Sequence, residues 1–118
     1  HDANTSAAND WAGIMAGAPA GSFEALCVPI DDMLIEGRVD FIKIDVEAAE
    51  VEAVRGAEAT ILIDRPHLII EVHTAAAGRE LADLFAFWSY RLTMVRHPYY
   101  DESSPWWDEH YWLVCEPD

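Results

Sequence analysis

Basic residues are scarce. Seven Lys and Arg stand against 22 Asp and Glu among 118 residues, for a formal net charge of −15. This excludes a nucleic-acid binder held by phosphate contacts, which needs clustered Lys and Arg to release counterions. It equally excludes a basic membrane anchor. Long apolar runs are missing too: ILI (61–63) and LII (68–70) fall far short of the roughly 18 residues a membrane span requires. Only Cys27 and Cys115 occur, too few for a disulfide framework or a zinc spacing. Each lies in an apolar, strand-like run and is expected to be a small buried hydrophobe. No GxGxxG, phosphate loop or nucleophile elbow is present. The opening HDANTSAAND does not begin with Met and lacks the regions of a signal peptide. The expectation is a piece of a longer, soluble, cytoplasmic protein.

What the chain does have is the composition of a globular core, 52% hydrophobic with five Trp, four Tyr and four Phe. At this length one domain is the limit. Residues 1–22, rich in Ala, Gly, Asn and Ser, read as loop. A β-like run over 23–28 is followed by a short helix around Met33, Leu34 and Ile35, with Asp31 placed to cap it and Gly37 to end it. VDFIKIDV (39–46) is β-branched and apolar on both faces, the pattern of a central strand. Helical spacing takes over across 47–63: Val51, Val54, Ala57 and Ile61 share one side, while Glu50, Glu52, Arg55 and Glu58 fall mostly on the others. Pro66 ends the helix and opens a second apolar strand, HLIIEVH (67–73). Strand, helix and strand in this order predict a βαβ unit with parallel strands. Leu81, Leu84, Phe85 and Trp88 then form an apolar helical stripe. YRLTMVRH (90–97) and EHYWLVC (109–115), with no helix between them, read as antiparallel neighbours.

The chemistry concentrates at two strand ends. Parallel neighbours about 4.8 Å apart would gather Asp45, Glu47, Glu71 and His73 at one edge of the sheet, and open α/β sheets bind ligands outside the carboxyl ends of their strands. Asp45 either belongs to such a site or caps the following helix. Glu47 is explained by the helix dipole alone. Glu71, inside LIIEVH, needs a partner or a cleft, because an unpaired buried carboxylate is costly. His73 fits as its hydrogen-bond partner or as a proton shuttle. Carboxylates and imidazole also suit a divalent metal, but the spacing is not diagnostic and no metal is assigned. Tyr99, Tyr100, Trp106 and Trp107 in an acidic loop either stack on a flat substrate or cover the sheet edge, as aromatics more often do.

VDFIKIDVEAAEVEAVRGAEATI, then RPHLIIEVH, then a helix and YRL, resembles the FkbM family of S-adenosylmethionine-dependent methyltransferases. The matching residues are 40–46, Glu47, Ala49, Glu50, 55–57, Pro66, Glu71 and His73, and VPIDDML (28–34) is similar to a further family segment. The resemblance implies the C-terminal part of a Rossmann-like α/β class I methyltransferase sheet, ending in an antiparallel hairpin whose last strand inserts beside the fifth. It implies S-adenosylmethionine as cofactor, near Asp45 and Glu47. It also implies methyl transfer to an oxygen of a small or carbohydrate-like acceptor, with Glu71, His73 and Asp45 as the catalytic candidates. Two departures stand out. Ala48 replaces the family's Gly, and the glycine-bearing DVGANxG-type cofactor turn is absent from these 118 residues. Without the first strands of such a sheet, the DFIKID strand has a bare edge. The chain is then expected to be marginal alone or to associate through that edge with a second copy or another chain. The competing reading is a non-catalytic remnant or partner-binding α/β half-domain.

Overall fold

The computed structural model describes Gly21 and residues 23–118, so the loop expected over 1–22 lies almost entirely outside the described residues. In chain order the elements are β1 (Phe41–Ile44), α1 (Glu50–Arg55), α2 (Glu58–Asp64), β2 (His67–Val72), α3 (Ala75–Phe87), β3 (Tyr90–Arg96) and β4 (Tyr111–Pro117). The strands form one sheet in the order β1-β2-β4-β3. β1 and β2 are parallel, with Ile44 opposite Ile70, and β4 is antiparallel to both β2 and β3. The βαβ unit and the terminal hairpin are therefore as expected, with the last strand inserted beside β2.

Strand alternation decides where the core sits. Leu68, Ile70 and Val72 of β2 share a face with Cys115, Leu113 and Tyr111 of β4, and all six are buried. Val54, Ala57 and Ile61 from the α1–α2 region and Leu81 and Phe85 from α3 close over that face, each fully buried. The opposite face, carrying Ile69 and Glu71 paired with Val114 and Trp112, is only half-buried. Along the inner side, Gly78 of α3 has no room for a side chain, because a Cβ there would overlap the Tyr111 hydroxyl. The helix therefore rides close against β4 at that point.

Several expectations need correction. The helical run over 47–63 is two helices, α1 and α2, which meet at Gly56 and Ala57. α2 ends at Arg65, whose left-handed φ of 52° turns the chain into Pro66. The strand expected over 23–28 is not formed. Phe23 and Leu26 are exposed, no sheet neighbour pairs with the segment among the described residues, and Cys27 is exposed instead of buried. An apolar run becomes a strand only where a partner backbone and a covering face exist. Cys115 is buried as expected, and burial pushes its thiol up to about 12. The expected helix at 33–35 is likewise absent; Ile30–Asp32 make one 3₁₀ turn, and Leu34 is fully exposed. β1, whose pattern reads as central, is an edge strand among the described residues, as the resemblance implies for this stretch of the sheet, with Phe41 55% exposed.

Asp31 does cap a helix, but a distant one. Its carboxylate accepts the backbone N–H groups of Ala59 and Thr60, both at 2.9 Å, and the Thr60 hydroxyl at 2.7 Å. The N-cap position of α2, Ala57, has no side chain able to do this. Partial burial raises the Asp31 carboxyl, but the hydrogen bonds from Thr60 and Ala59 outweigh it and hold it below the ordinary 3.8. A depressed carboxylate stabilises the fold above its unfolded value and loses that contribution as pH falls through its folded value. Asp31→Ala is therefore expected to cost about 1 kcal/mol near neutral pH. In urea titrations the gap between variant and wild type should close below 3.8. A gap independent of pH would remove the carboxylate from the account.

Candidate active site

Three of the four strands deliver side chains to the carboxyl-end rim of the sheet. Asp45 follows β1, Glu71 and His73 come from the end of β2, and His97 follows β3. Asp45, Glu71 and His73 each place a potential ligand atom within 4.8 Å of the other two. Asp45 Oδ1 is 3.8 Å from His73 Nε2, with the aspartate side chain half exposed and the imidazole mostly covered. Three of the four residues expected at the rim are thus brought together. The fourth, Glu47, sits exposed in the turn between β1 and α1 and makes no ion pair among the described residues.

Glu71 and His73 do not share a hydrogen bond; each is held by a different residue from behind. His73 Nδ1 lies 3.2 Å from Glu50 Oε1, and the Glu50 side chain is 1% exposed. Glu71 Oε1 lies 3.4 Å from Nε2 of His97, which is equally buried. Neither Glu50 nor His97 was among the expected site residues. Glu50 carried a readable signal: it stands four, seven and eleven positions before Val54, Ala57 and Ile61, on the same helical stripe. A carboxylate on an apolar stripe is buried and must find a donor. The first-turn dipole explained its charge but not its side.

The loop between β3 and β4 backs the rim with aromatic rings. Tyr99 stacks on His97 at 5.0 Å between ring centres, and Trp112 meets the same imidazole edge-on at 4.0 Å. Trp106 stacks on His110 at 4.7 Å, and His110 in turn meets His73 at 5.7 Å. Trp107 serves packing: the Arg96 guanidinium lies over its ring at 4.1 Å and donates to its carbonyl. Tyr99 remains 68% exposed, open to a flat ligand.

On the helix side, a groove of about 360 Å³ runs between α1 and α3, lined by Ala48, Glu50, Val51, Thr74 and Ala77 among others. Thr74 caps α3 by accepting the Ala77 N–H at 3.1 Å, and an Arg55–Glu80 ion pair of 2.9 Å spans the two helices. Groove and rim meet at Glu50. Ala48, where the resemblance has Gly, sits at a left-handed φ of 65°. A glycine occupies that region freely, whereas the alanine methyl costs about 1 kcal/mol.

The sequence model of the methyltransferase FkbM domain matches residues 2–93. A crystal structure of methyltransferase FkbM from Methylobacillus flagellatus KT is similar, at 27% identity and a TM-score of 0.51, over 74% of this chain and 22% of that one. The chain thus spans about a fifth of the length of that structure. No curated protein matches the sequence significantly. The match in sequence covers β1, β2 and the helices that carry Asp45, Glu50, Glu71 and His73, and the match in structure shares their α/β sheet. The chain belongs to the FkbM methyltransferase family.

Proposed function

We propose that this chain forms the acceptor-side half of a methyltransferase that uses S-adenosylmethionine and methylates an oxygen of a small or carbohydrate-like molecule. The observation that carries the reading is the rim itself: two carboxylates and an imidazole converge at the open strand ends, and the imidazole is oriented by a buried glutamate. The cofactor's sulfonium and ammonium are cationic, and the Asp45 and Glu47 carboxylates complement them, so these residues fit its methyl-bearing end. When bound, it supplies an electrophilic methyl group.

This chain's own part is positioning and proton removal. Asp45 and Glu71 accept hydrogen bonds from a polyhydroxylated acceptor and fix one hydroxyl against His73, which takes its proton at Nε2. Glu50, bonded to Nδ1, stabilises the resulting imidazolium and sets the ring's orientation. Tyr99 offers a flat surface against which a sugar ring packs.

A second reading, a partner-binding half-domain, is favoured by the outer edge of β1, which no other described strand covers and where Phe41 is 55% exposed. Isotope-labelled S-adenosylmethionine separates the two. The protein in its full-length context is incubated with the labelled cofactor and a panel of sugars and hydroxylated small molecules. Label in a base-stable ether is the expected product. Absence of both cofactor binding by calorimetry and transfer to any acceptor would leave the half-domain reading in its place.

A further inference from the structure

The three rim donors face one another without bonding. Glu50 Oε1 lies 3.2 Å from His73 Nδ1, so the other ring nitrogen, Nε2, is the one turned to the rim. Across from it stands the Asp45 carboxylate at 3.8 Å, beyond hydrogen-bond reach. Glu71 is the third donor, within 4.8 Å of both. A second buried imidazole, His97, is aimed at Glu71 from below, and its own Nδ1 has no partner among the described residues. Two carboxylates this close are stabilised by positive charge between them, which a bound cation can supply. The backing is that of metal centres, where a ligating histidine gives its other N–H to a carboxylate and ligating carboxylates are themselves held.

We propose that Asp45, Glu71 and His73 bind one divalent transition-metal ion, with Glu50 and His97 as the residues that orient the ligands. One nitrogen and two carboxylate donors favour a borderline ion of the zinc or manganese kind over magnesium or calcium, which prefer oxygen alone. Metal bonds of about 2.0–2.2 Å require donors about 3–4 Å apart, so the three side chains close by about 1 Å on binding. Asp45, half exposed at the end of β1, has the freedom to supply that movement. A site with three protein ligands leaves coordination positions open, the arrangement by which an ion holds a hydroxylated molecule. The proposal rests on the methyl-transfer reading and changes its base: with His73 Nε2 on the ion, the ion holds the acceptor hydroxyl and eases loss of its proton to solvent, a step otherwise assigned to the free imidazole. Its test needs neither cofactor nor acceptor.

The full chain carrying Cys27→Ser, which removes the exposed thiol, is stripped of metal and titrated with MnCl₂ and ZnCl₂ by calorimetry, with Mn²⁺ binding read independently by electron paramagnetic resonance. One equivalent is expected to bind, with MgCl₂ at least tenfold weaker. Asp45→Asn, Glu71→Gln and His73→Ala should each weaken binding at least tenfold, and Glu50→Gln about 10–100-fold. His67→Ala, at the far end of β2, should leave it unchanged. Circular dichroism of each variant establishes that it folds, and Asp45→Asn at an exposed position keeps the comparison valid if a buried variant does not. No saturable Mn²⁺ or Zn²⁺ binding, or binding that survives Asp45→Asn undiminished, overturns the site. Metal binding without methyl transfer would overturn only the proposed reaction, and transfer without metal binding only the ion.

Discussion

Methyl transfer by the full-length protein is expected to lose about 10²–10⁴-fold in kcat when His73 becomes Ala, the range over which a positioned proton-transfer group acts. The argument starts at Nδ1. Its 3.2 Å bond to a glutamate that is 1% exposed fixes the ring plane and leaves Nε2 facing the opening beside Asp45. Removing the imidazole takes away the base proposed for the rim and leaves the buried Glu50 carboxylate without its imidazole partner. Glu50→Gln keeps size and shape but removes the charge that fixes the tautomer, and about a 10–100-fold loss is expected. The two variants should leave the KM for the cofactor close to wild type, since neither side chain stands on the cofactor's side of the rim. A wild-type kcat for His73→Ala in a folded protein would remove His73 from the chemistry, and a raised cofactor KM with unchanged kcat would reassign it to binding.

Phe85→Ala is expected to cost about 4 kcal/mol, whereas Phe87→Ala, two residues on, should stay within about 0.5 kcal/mol of wild type. Phe85 is fully buried and meets Trp88 and Tyr90 edge-on at 5.4 and 5.1 Å between ring centres. Its removal leaves a cavity where α3 closes on the sheet. It also loosens Tyr90, whose hydroxyl donates to the Pro66 carbonyl at 2.7 Å and whose ring lies under Arg65. Phe87 is 85% exposed and has almost nothing to lose. With domain stabilities of about 5–15 kcal/mol, the first substitution removes a large share of the total and lowers Tm by about 15–20 °C. Urea and thermal denaturation of the two variants side by side give the answer. Equal losses would mean that α3 is not seated as described.

The stripe Leu81, Leu84, Phe85, Trp88 made this contrast readable in advance, because helical spacing over two turns leaves one seating only. The parallel pairing of β1 and β2 was legible for a similar reason: one helix-length connection joins two apolar strands. Legibility failed where the outcome depends on partners elsewhere. The run at 23–28 has strand-like residues but no neighbour to pair with, and the break at Gly56–Ala57 interrupts a spacing that is continuous on paper. At the site, Asp45 and His73 could be placed by strand position alone. The pairing of His73 with Glu50 and of Glu71 with His97 could not, because it depends on where α1 begins and on how the β3–β4 loop folds back, both tertiary matters. Ala48 was visible as a departure, but only its φ of 65° shows why a glycine suits that turn.

The insertion of β4 between β2 and β3 has a bearing on how the molecule comes into being. Until residues 111–117 have left the ribosome, β3 has no hydrogen-bonded link to the rest of the sheet, and the Leu68–Ile70–Val72 ridge stands without its lateral cover. The nascent chain therefore waits in a half-assembled condition, with the β2 border raw on the side where β4 will insert. Such intermediates are the ones chaperones attend to and that cluster when synthesis outruns folding. Yield from a recombinant host should accordingly respond to growth temperature and chaperone supply more than to any feature of the finished surface.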